Sequence, residues 1–277
     1  MAGTLYLVGT PIGNLGDLSP RAAETLEKVD FIAAEDTRVT LKLLAHLGIK
    51  KELVSYHEHN RRQRGPQILE RLQQGESCAL CSDAGMPCIS DPGEELVRLC
   101  AEQGILVQSV PGPTAAMTAL ALSGLSAGRF AFEGFLSVKK GSREEHLASL
   151  KEEQRTLVFY EAPHKLPATL KDLLRVLGDR KIALCRELTK LYEEVHRTTL
   201  AQAVAYYEEH PPRGEFVLVV EGASPLQESQ VSREEALALV RRFCKEGMSL
   251  SGAAREAARL TGYQKGELYR AAALQEE

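Results

Sequence analysis

The chain has no tryptophan, and aromatic residues make up only 5% of its 277 positions. No aromatic belt or stacking-rich surface can therefore dominate it. Long hydrophobic runs are missing as well. No apolar stretch approaches the ~20 residues that a membrane helix needs, and no lipidation motif is present. The first residues lack a basic segment and carry an apolar run of only about five residues, unlike a secretory signal. Nor is there an excess of one charge. The 34 Lys and Arg against 38 Asp and Glu leave a net charge of −4, which argues against a uniformly basic nucleic-acid coat but leaves room for a local patch. Internal repeats and low-complexity tracts are absent.

Cysteine usage points the same way. The six cysteines are Cys78, Cys81, Cys88, Cys100, Cys185 and Cys244, in a chain too long to need disulfide staples. Cys78 and Cys81 form the one CxxC. They lie in an apolar run, Ser77 to Ser82, that reads as a buried strand, where a separation of three sends the side chains to opposite faces. Free buried thiols in a reducing cytoplasm are expected.

What is present is a globular composition, with 44% hydrophobic and 26% charged residues. At about 150 residues per domain the length allows nearly two domains. From residue 4 to about 123, short apolar runs alternate with helical patterns, implying a mostly parallel sheet with helices on both faces. In that block the spacing predicts a helix with Leu41, Leu44 and Leu47 on one face and another over 66–74, with a polar loop before it. A second block has more strands than helices and reads as mixed α+β. It includes helices over 142–154 and 165–177 and strands over 130–136, 156–160, 182–186, 195–198 and 216–220. A polar stretch follows, then three helical segments separated by Gly247 and Gly262. The expected organisation is an α/β domain over 1–125, a second over 126–222, a linker over 223–232 and a helical module over 233–277.

In open α/β sheets, ligands bind beyond the carboxyl ends of the strands. Three loops at such ends are rich in Gly and Pro: residues 9–14, 83–93 and 111–114. The dinucleotide fingerprint G-x-G-x-x-G is missing, and so is the P-loop motif. The three loops contain no Lys or Arg to neutralise phosphates, while Asp83 and Asp91 make the longest one acidic. Such a pocket suits a ligand with an amine, ribose hydroxyls or positive charge. Two polar clusters follow other strand ends, Glu35-Asp36-Thr37-Arg38 and His57-Glu58-His59-Asn60-Arg61-Arg62-Gln63-Arg64. The second is a basic patch suited to phosphate contacts. No HExxH or second CxxC accompanies the histidines, and no metal is expected.

These loops carry a resemblance. The runs Val8-Gly9-Thr10-Pro11-Ile12-Gly13-Asn14-Leu15, Ala34-Glu35-Asp36-Thr37-Arg38, Ser82-Asp83-Ala84-Gly85-Met86-Pro87, Ile89-Ser90-Asp91-Pro92-Gly93 and Pro111-Gly112-Pro113 resemble the small subunit ribosomal RNA methyltransferase I family, within the tetrapyrrole methylase superfamily. Residues 159–166 and 186–190 resemble it too, in the same order, so the likeness spans roughly residues 4 to 222. The Gly-Pro loop and Gly-Asp-Pro motif of tetrapyrrole methylases read Thr10-Pro11-Ile12-Gly13 and Asp83-Ala84-Gly85 here, which favours the RNA branch. Met86 and Cys88 stand where smaller or more aliphatic residues are expected.

The resemblance implies two α/β domains of tetrapyrrole methylase type, a homodimer, and S-adenosyl-L-methionine held between the domains. It implies as acceptor a cytidine in the decoding region of 16S rRNA within the small ribosomal subunit, methylated at its ribose 2′-oxygen. Thr10, Pro11, Asp83, Ala84, Gly85 and Ile89 would contact the donor, with Thr114 and Ala115. From the second domain Tyr160, Leu188 and Gly214 or Glu215 would close over it. A base would assist the poorly nucleophilic hydroxyl, and the candidates are Glu35, Asp36, His57 and Glu161. RNA contacts are expected from Arg38, Arg61, Arg62 and Arg64, and from Lys139, Lys140 and Lys165. From Arg233 onward eight basic residues face seven acidic ones, and the three short helices resemble a helix-turn-helix, with a docking or dimer-stabilising bundle as the alternative. Methylation of a small tetrapyrrole is the alternative activity, and a ligand-sensing DNA-binding regulator is the alternative of another class.

Overall fold

The structure, a computed structural model, describes residues 2–224 and 232–273. The chain divides into two compact units, residues 1–222 and 223–277. The expected linker falls mostly on residues 225–231, which with 274–277 lie outside the described residues.

The first unit contains two five-stranded sheets. The first sheet takes β1 (Thr4–Val8), β2 (Phe31–Ala34), β3 (Glu52–Ser55), β4 (Cys78–Cys81) and β5 (Leu106–Val110) in the order β3-β2-β4-β1-β5. All its pairings are parallel. Helices α1 (Pro20–Lys28) and α2 (Thr37–Leu47) cover one face, and α3 (Arg61–Gln73) and α4 (Glu94–Glu102) the other. Both faces being covered, β2 and β4 are buried at every position. Cys78 packs with the α3–α4 core and Cys81 with the α1–α2 core, as the pleat requires. β1 and β4 lie side by side but send their connections in opposite directions, which opens a crevice at their carboxyl ends.

The second sheet has the order β6-β7-β10-β8-β9, from β6 (Phe130–Phe135), β7 (Thr156–Glu161), β8 (Lys181–Arg186), β9 (Glu194–Thr199) and β10 (Phe216–Val220). Only β6 and β7 pair in parallel, so the sheet is mixed. Its largest core packs against α6 (Lys140–Ser149), α7 (Leu166–Leu177) and α8 (Leu200–Glu209). The other face is covered by α5 (Ala115–Ser123), whose Ala116, Ala119 and Leu120 pack on Val158, Ala183 and Val217. Sequence alternation groups α5 with the first sheet, yet its small apolar side chains seat it on the second. The cross-over between sheets therefore precedes α5.

Three helices depart from the sequence pattern. In α2 Leu44 is buried and Leu47 packs beside it as expected, but the stripe runs through Thr40, Leu43, Leu44 and Leu47, and Leu41 falls outside it at 59% exposed. α3 begins at Arg61, so Pro66 lies inside it and the arginines lie on its first turn rather than in a loop. As the sixth helical residue, Pro66 forgoes one backbone bond of α3. α6 starts at Lys140 and ends at Ser149 instead of spanning 142–154.

The second unit packs α9 (Arg233–Lys245), α10 (Leu250–Thr261) and α11 (Lys265–Ala273) around Ala236, Val240, Ala253, Ala257 and Leu268. Ser232 and Glu235 form a capping box at the start of α9.

Leu218, fully buried on the central strand β10, tests the core of the second sheet. Leu218→Ala is expected to cost about 2–5 kcal/mol in denaturant unfolding, from lost burial plus the cavity left behind.

Candidate active site

The crevice beyond β1 and β4 meets the second sheet in a cavity of ≈ 510 Å³. Paired backbone bonds build its floor. The Thr10 amide donates to the Gly85 carbonyl at 2.9 Å, and the Gly85 amide donates back at 3.1 Å. The Thr10 hydroxyl adds a bond to the Ser82 carbonyl. A second interlock joins the loops after β2 and β4. The Asp36 amide donates to the Asp83 carboxylate at 3.0 Å, and the Asp83 amide to Glu35 at 3.3 Å.

Backbone strain concentrates here. Among the described residues the non-glycine positions with positive φ are Cys88, Ser90, Glu187 and Thr189. They lie on two loops, one from each sheet, that converge on the cavity. Such conformations cost about 1–3 kcal/mol each and persist where a site requires them. Gly93, at φ 143°, belongs to the first of these loops, where a Cβ would sit 2.6 Å from the Cys88 sulfur.

Asp83, Ala84, Gly85 and Ile89 line the cavity from the loop after β4, Thr114 and Ala115 from the start of α5, and Tyr160, Leu188 and Glu215 from the second sheet's side. The other expected donor contacts stand behind the wall. Thr10 is buried beneath the floor, spending its polar atoms on the loop after β4. Pro11 precedes Ile12, which is the residue that reaches the cavity. Gly214, at φ 80°, leaves room for the Glu187 side chain, which a Cβ would meet at 2.6 Å. It shapes the loop and does not line the cavity.

The four base candidates separate. Glu35 lines the cavity, and burial raises its carboxyl above the usual range. Asp36 does not line it. It caps α2 by accepting from the Arg38 amide at 2.8 Å and pairs with the Arg38 guanidinium at 2.6 Å, which holds it down at about 2. Glu161 lines the cavity, but its two oxygens are taken by the Ala162 amide at 2.8 Å and the Thr169 hydroxyl at 2.6 Å. His57 lies off the cavity, with Nδ1 buried and unpartnered among the described residues.

Several lining residues were not among the expected donor contacts or bases. Asp91 is the most telling. Burial, reinforced by the Glu35 charge, pushes it up to about 7, against the pull of a hydrogen bond with Ser82. Lys190 enters from the second sheet, its Nζ bonded to Glu187 at 3.0 Å and Glu215 at 2.9 Å, and Phe135 and Tyr160 add aromatic wall. Tyr160 accepts from the Ala116 amide at 3.2 Å, and burial raises its hydroxyl. Asp91 shared the Gly/Pro loop with Asp83, so its loop was visible in the sequence. Lys190 lay in the run 186–190 that carries the resemblance, and Phe135 gave no local signal. Among the described residues no three His, Cys, Asp or Glu side chains converge to hold a metal, and no helix is long and apolar enough to cross a membrane.

The expected RNA contacts sit at helix starts. Arg38 is on the first turn of α2, and Arg61, Arg62 and Arg64 begin α3. Lys139 and Lys140 begin α6, and Lys165 precedes α7. Arg61 also pairs with Glu95 at 3.3 Å, and Arg64 donates to Gln67 at 2.9 Å.

With the site in view, the comparisons are specific. Residues 4–204 match the family model for tetrapyrrole (corrin/porphyrin) methylases, and residues 230–275 match one for an RsmI C-terminal HTH domain. A Synechocystis protein named ribosomal RNA small subunit methyltransferase I is 51% identical over 96% of each chain. An Escherichia coli O157:H7 protein of the same name is 45% identical over 97% of this chain and 94% of that one. The chain belongs to the ribosomal RNA small subunit methyltransferase I family. Among solved structures, diphthine synthase superposes with a TM-score of 0.61 at 14% identity, covering 79% of this chain and 90% of that one. Uroporphyrin-III-C-methyltransferase from Thermus thermophilus gives 0.56 at 22%, covering 78% and 94%. At those identities the likeness is one of fold, and the family shares the tetrapyrrole methylase architecture.

The raised Asp91 carboxyl has a consequence for stability. It binds its proton more tightly folded than unfolded, so folding loses stability as pH rises from about 4 to about 7 and none further above. Asp91→Asn removes that loss. The variant is expected to melt above the parent at pH 8, with the difference closing as the pH falls toward 4.

Proposed function

We propose that this chain uses S-adenosyl-L-methionine to methylate the ribose 2′-oxygen of a cytidine in the decoding region of 16S rRNA, within the small ribosomal subunit. The observation that carries this reading is an acidic, apolar-walled cavity at the strand ends, together with basic residues at the starts of the helices that follow β2, β3, β6 and β7. Basic side chains on a first helical turn oppose the helix dipole. Arg38, Arg61, Arg62, Arg64, Lys139, Lys140 and Lys165 all sit on or just before a first turn, where phosphate would relieve that opposition. Relatives named for ribosomal RNA favour this acceptor over a tetrapyrrole.

The cavity fits the donor's chemistry. Ile12, Ala115, Leu188 and Val217 supply apolar surface, and Glu35, Asp83 and Asp91 supply negative charge for a cationic ligand. When bound, that donor supplies an electrophilic methyl on a sulfonium. The chain's own work is alignment, for which orientation can contribute ~7–11 kcal/mol, and removal of the hydroxyl proton. Of the carboxyls lining the cavity, Glu35, Asp83 and Asp91 are all raised, Asp91 to about 7, which suits a proton acceptor, while Asp36, off the cavity, is held low. Asp91, lifted by burial and then by the Glu35 charge, takes the proton. The reading also carries a homodimer, which sedimentation of the purified chain tests.

The test offers tritiated S-adenosylmethionine with small ribosomal subunits, naked 16S rRNA and a precorrin pool in parallel. Label on a ribose in the decoding region is expected. Label in the tetrapyrrole overturns the acceptor, and no label beside tight duplex DNA binding returns the regulator reading. With subunits as acceptor, kcat/KM should rise with pH through about 7 and level off, since Asp91 must be ionised. Asp91→Asn should flatten that rise and cost about 10²–10⁴-fold in turnover.

A further inference from the structure

One residue of the cavity is placed in a way that packing does not explain. Phe135 ends β6 with 59% of its surface exposed. In a regular strand Phe132 and Phe135, three apart, would face opposite sides of the sheet. Here they face the same side. Phe132 pairs with Val158 and Phe135 with Tyr160, two residues on, because the register shifts between Phe132 and Gly134. The shift is a bulge, with Gly134 in the left-handed conformation at φ 62° and Glu133 as the extra residue. Without it Phe135 would turn toward the buried core under α6, α7 and α8. With it the ring swings to the cavity side, where it lies 5.4 Å from Tyr160, with Phe132 5.1 Å from the same ring. Bulges that re-aim a side chain are frequent beside active sites.

The surroundings specify what the ring faces. Tyr160 is fixed from behind by the Ala116 amide. Gly134 approaches Ser90, where a Cβ would stand 3.2 Å from the Ser90 hydroxyl, so the bulge lies against the loop that carries Asp91. Exposed Lys139 and Lys140 follow within five residues. An exposed aromatic ring, backed by a rigid ring and followed in the chain by two exposed lysines, matches the way proteins hold an unstacked nucleobase with its phosphates.

We propose that the Phe135 ring is the platform on which the base of the acceptor nucleotide stacks, with the β6 bulge presenting it beside Asp91. The proposal rests on the RNA methyltransferase reading above and adds a base-binding subsite to it. The base lies flat on the ring, and its ribose then falls toward the carboxylates. Stacking accepts any base, so this subsite supplies affinity and position while leaving base identity to other contacts.

Phe135→Ala, Phe135→Leu and Phe135→Trp are compared with the parent for methyl transfer to small subunits and for calorimetric binding of S-adenosylhomocysteine. The position is exposed, so all should keep the parent's melting temperature. The Ala and Leu variants are expected to lose about 5- to 150-fold in kcat/KM, mostly through KM, the range that base–aromatic stacking gives. The Trp variant should stay near the parent, and donor-analogue affinity should change by less than about twofold. Recovery in the Leu variant would reduce the ring to apolar packing and overturn the proposal. A parallel fall in donor-analogue affinity would place the ring on the donor and overturn it too. Unchanged kinetics in Phe135→Ala would remove the subsite while leaving the methyltransferase reading intact. A parent chain that labels no RNA would remove both.

Discussion

The reciprocal backbone bonds between Thr10 and Gly85 are the constraint on which the site depends. A parallel sheet ends in a row of loops with no partner strand to hold them. Here two of those loops, after β1 and β4, pair with each other, and the buried Thr10 hydroxyl secures the joint at Ser82. The long loop after β4 is thereby pinned at its start and can carry Asp83 and Asp91 to the cavity without a regular element beneath them. The exchange among Asp36, Asp83 and Glu35 extends the same principle to the loop after β2. Backbone amides satisfy two of the carboxylates while leaving their charge directed at the crevice.

This arrangement is costly, and the cost locates the function. Four non-glycine residues hold left-handed backbone on the two loops that face each other across the cavity. Glu35, Asp83 and Asp91 are all raised by desolvation. A fold selected only for stability would relieve both. The remainder of the first unit offsets them with two well-covered sheets, whose central strands are buried on both faces.

Part of this was legible in the chain itself. Apolar runs between helical patterns marked the strands, and Gly/Pro clusters marked the loops at their carboxyl ends. The Cys78–Cys81 spacing sent two thiols to opposite faces. Other features escaped for identifiable reasons. α5 is apolar on every side, so periodicity could not say which sheet it covers. Pro66 read as a helix start, although α3 begins five residues before it, at Arg61. The β6 bulge left no local mark, because Phe-Glu-Gly-Phe continues a strand pattern while changing which side Phe135 faces.

Composition and spacing by themselves determined the layered α/β design, the acidic Gly-rich loops and the presence of basic clusters, because periodicity and turn chemistry act over a few residues. The tertiary structure decided which of those groups meet. Asp36 and Glu161 were candidates on the same footing as Glu35, while Asp91 was read only as part of the acidic loop. Hydrogen bonds that only folding creates occupy the first two, and burial raises the second two. Lys190 and Phe135 come from distant segments, and only the approach of two sheets and a one-residue shift in register bring them to the same cavity.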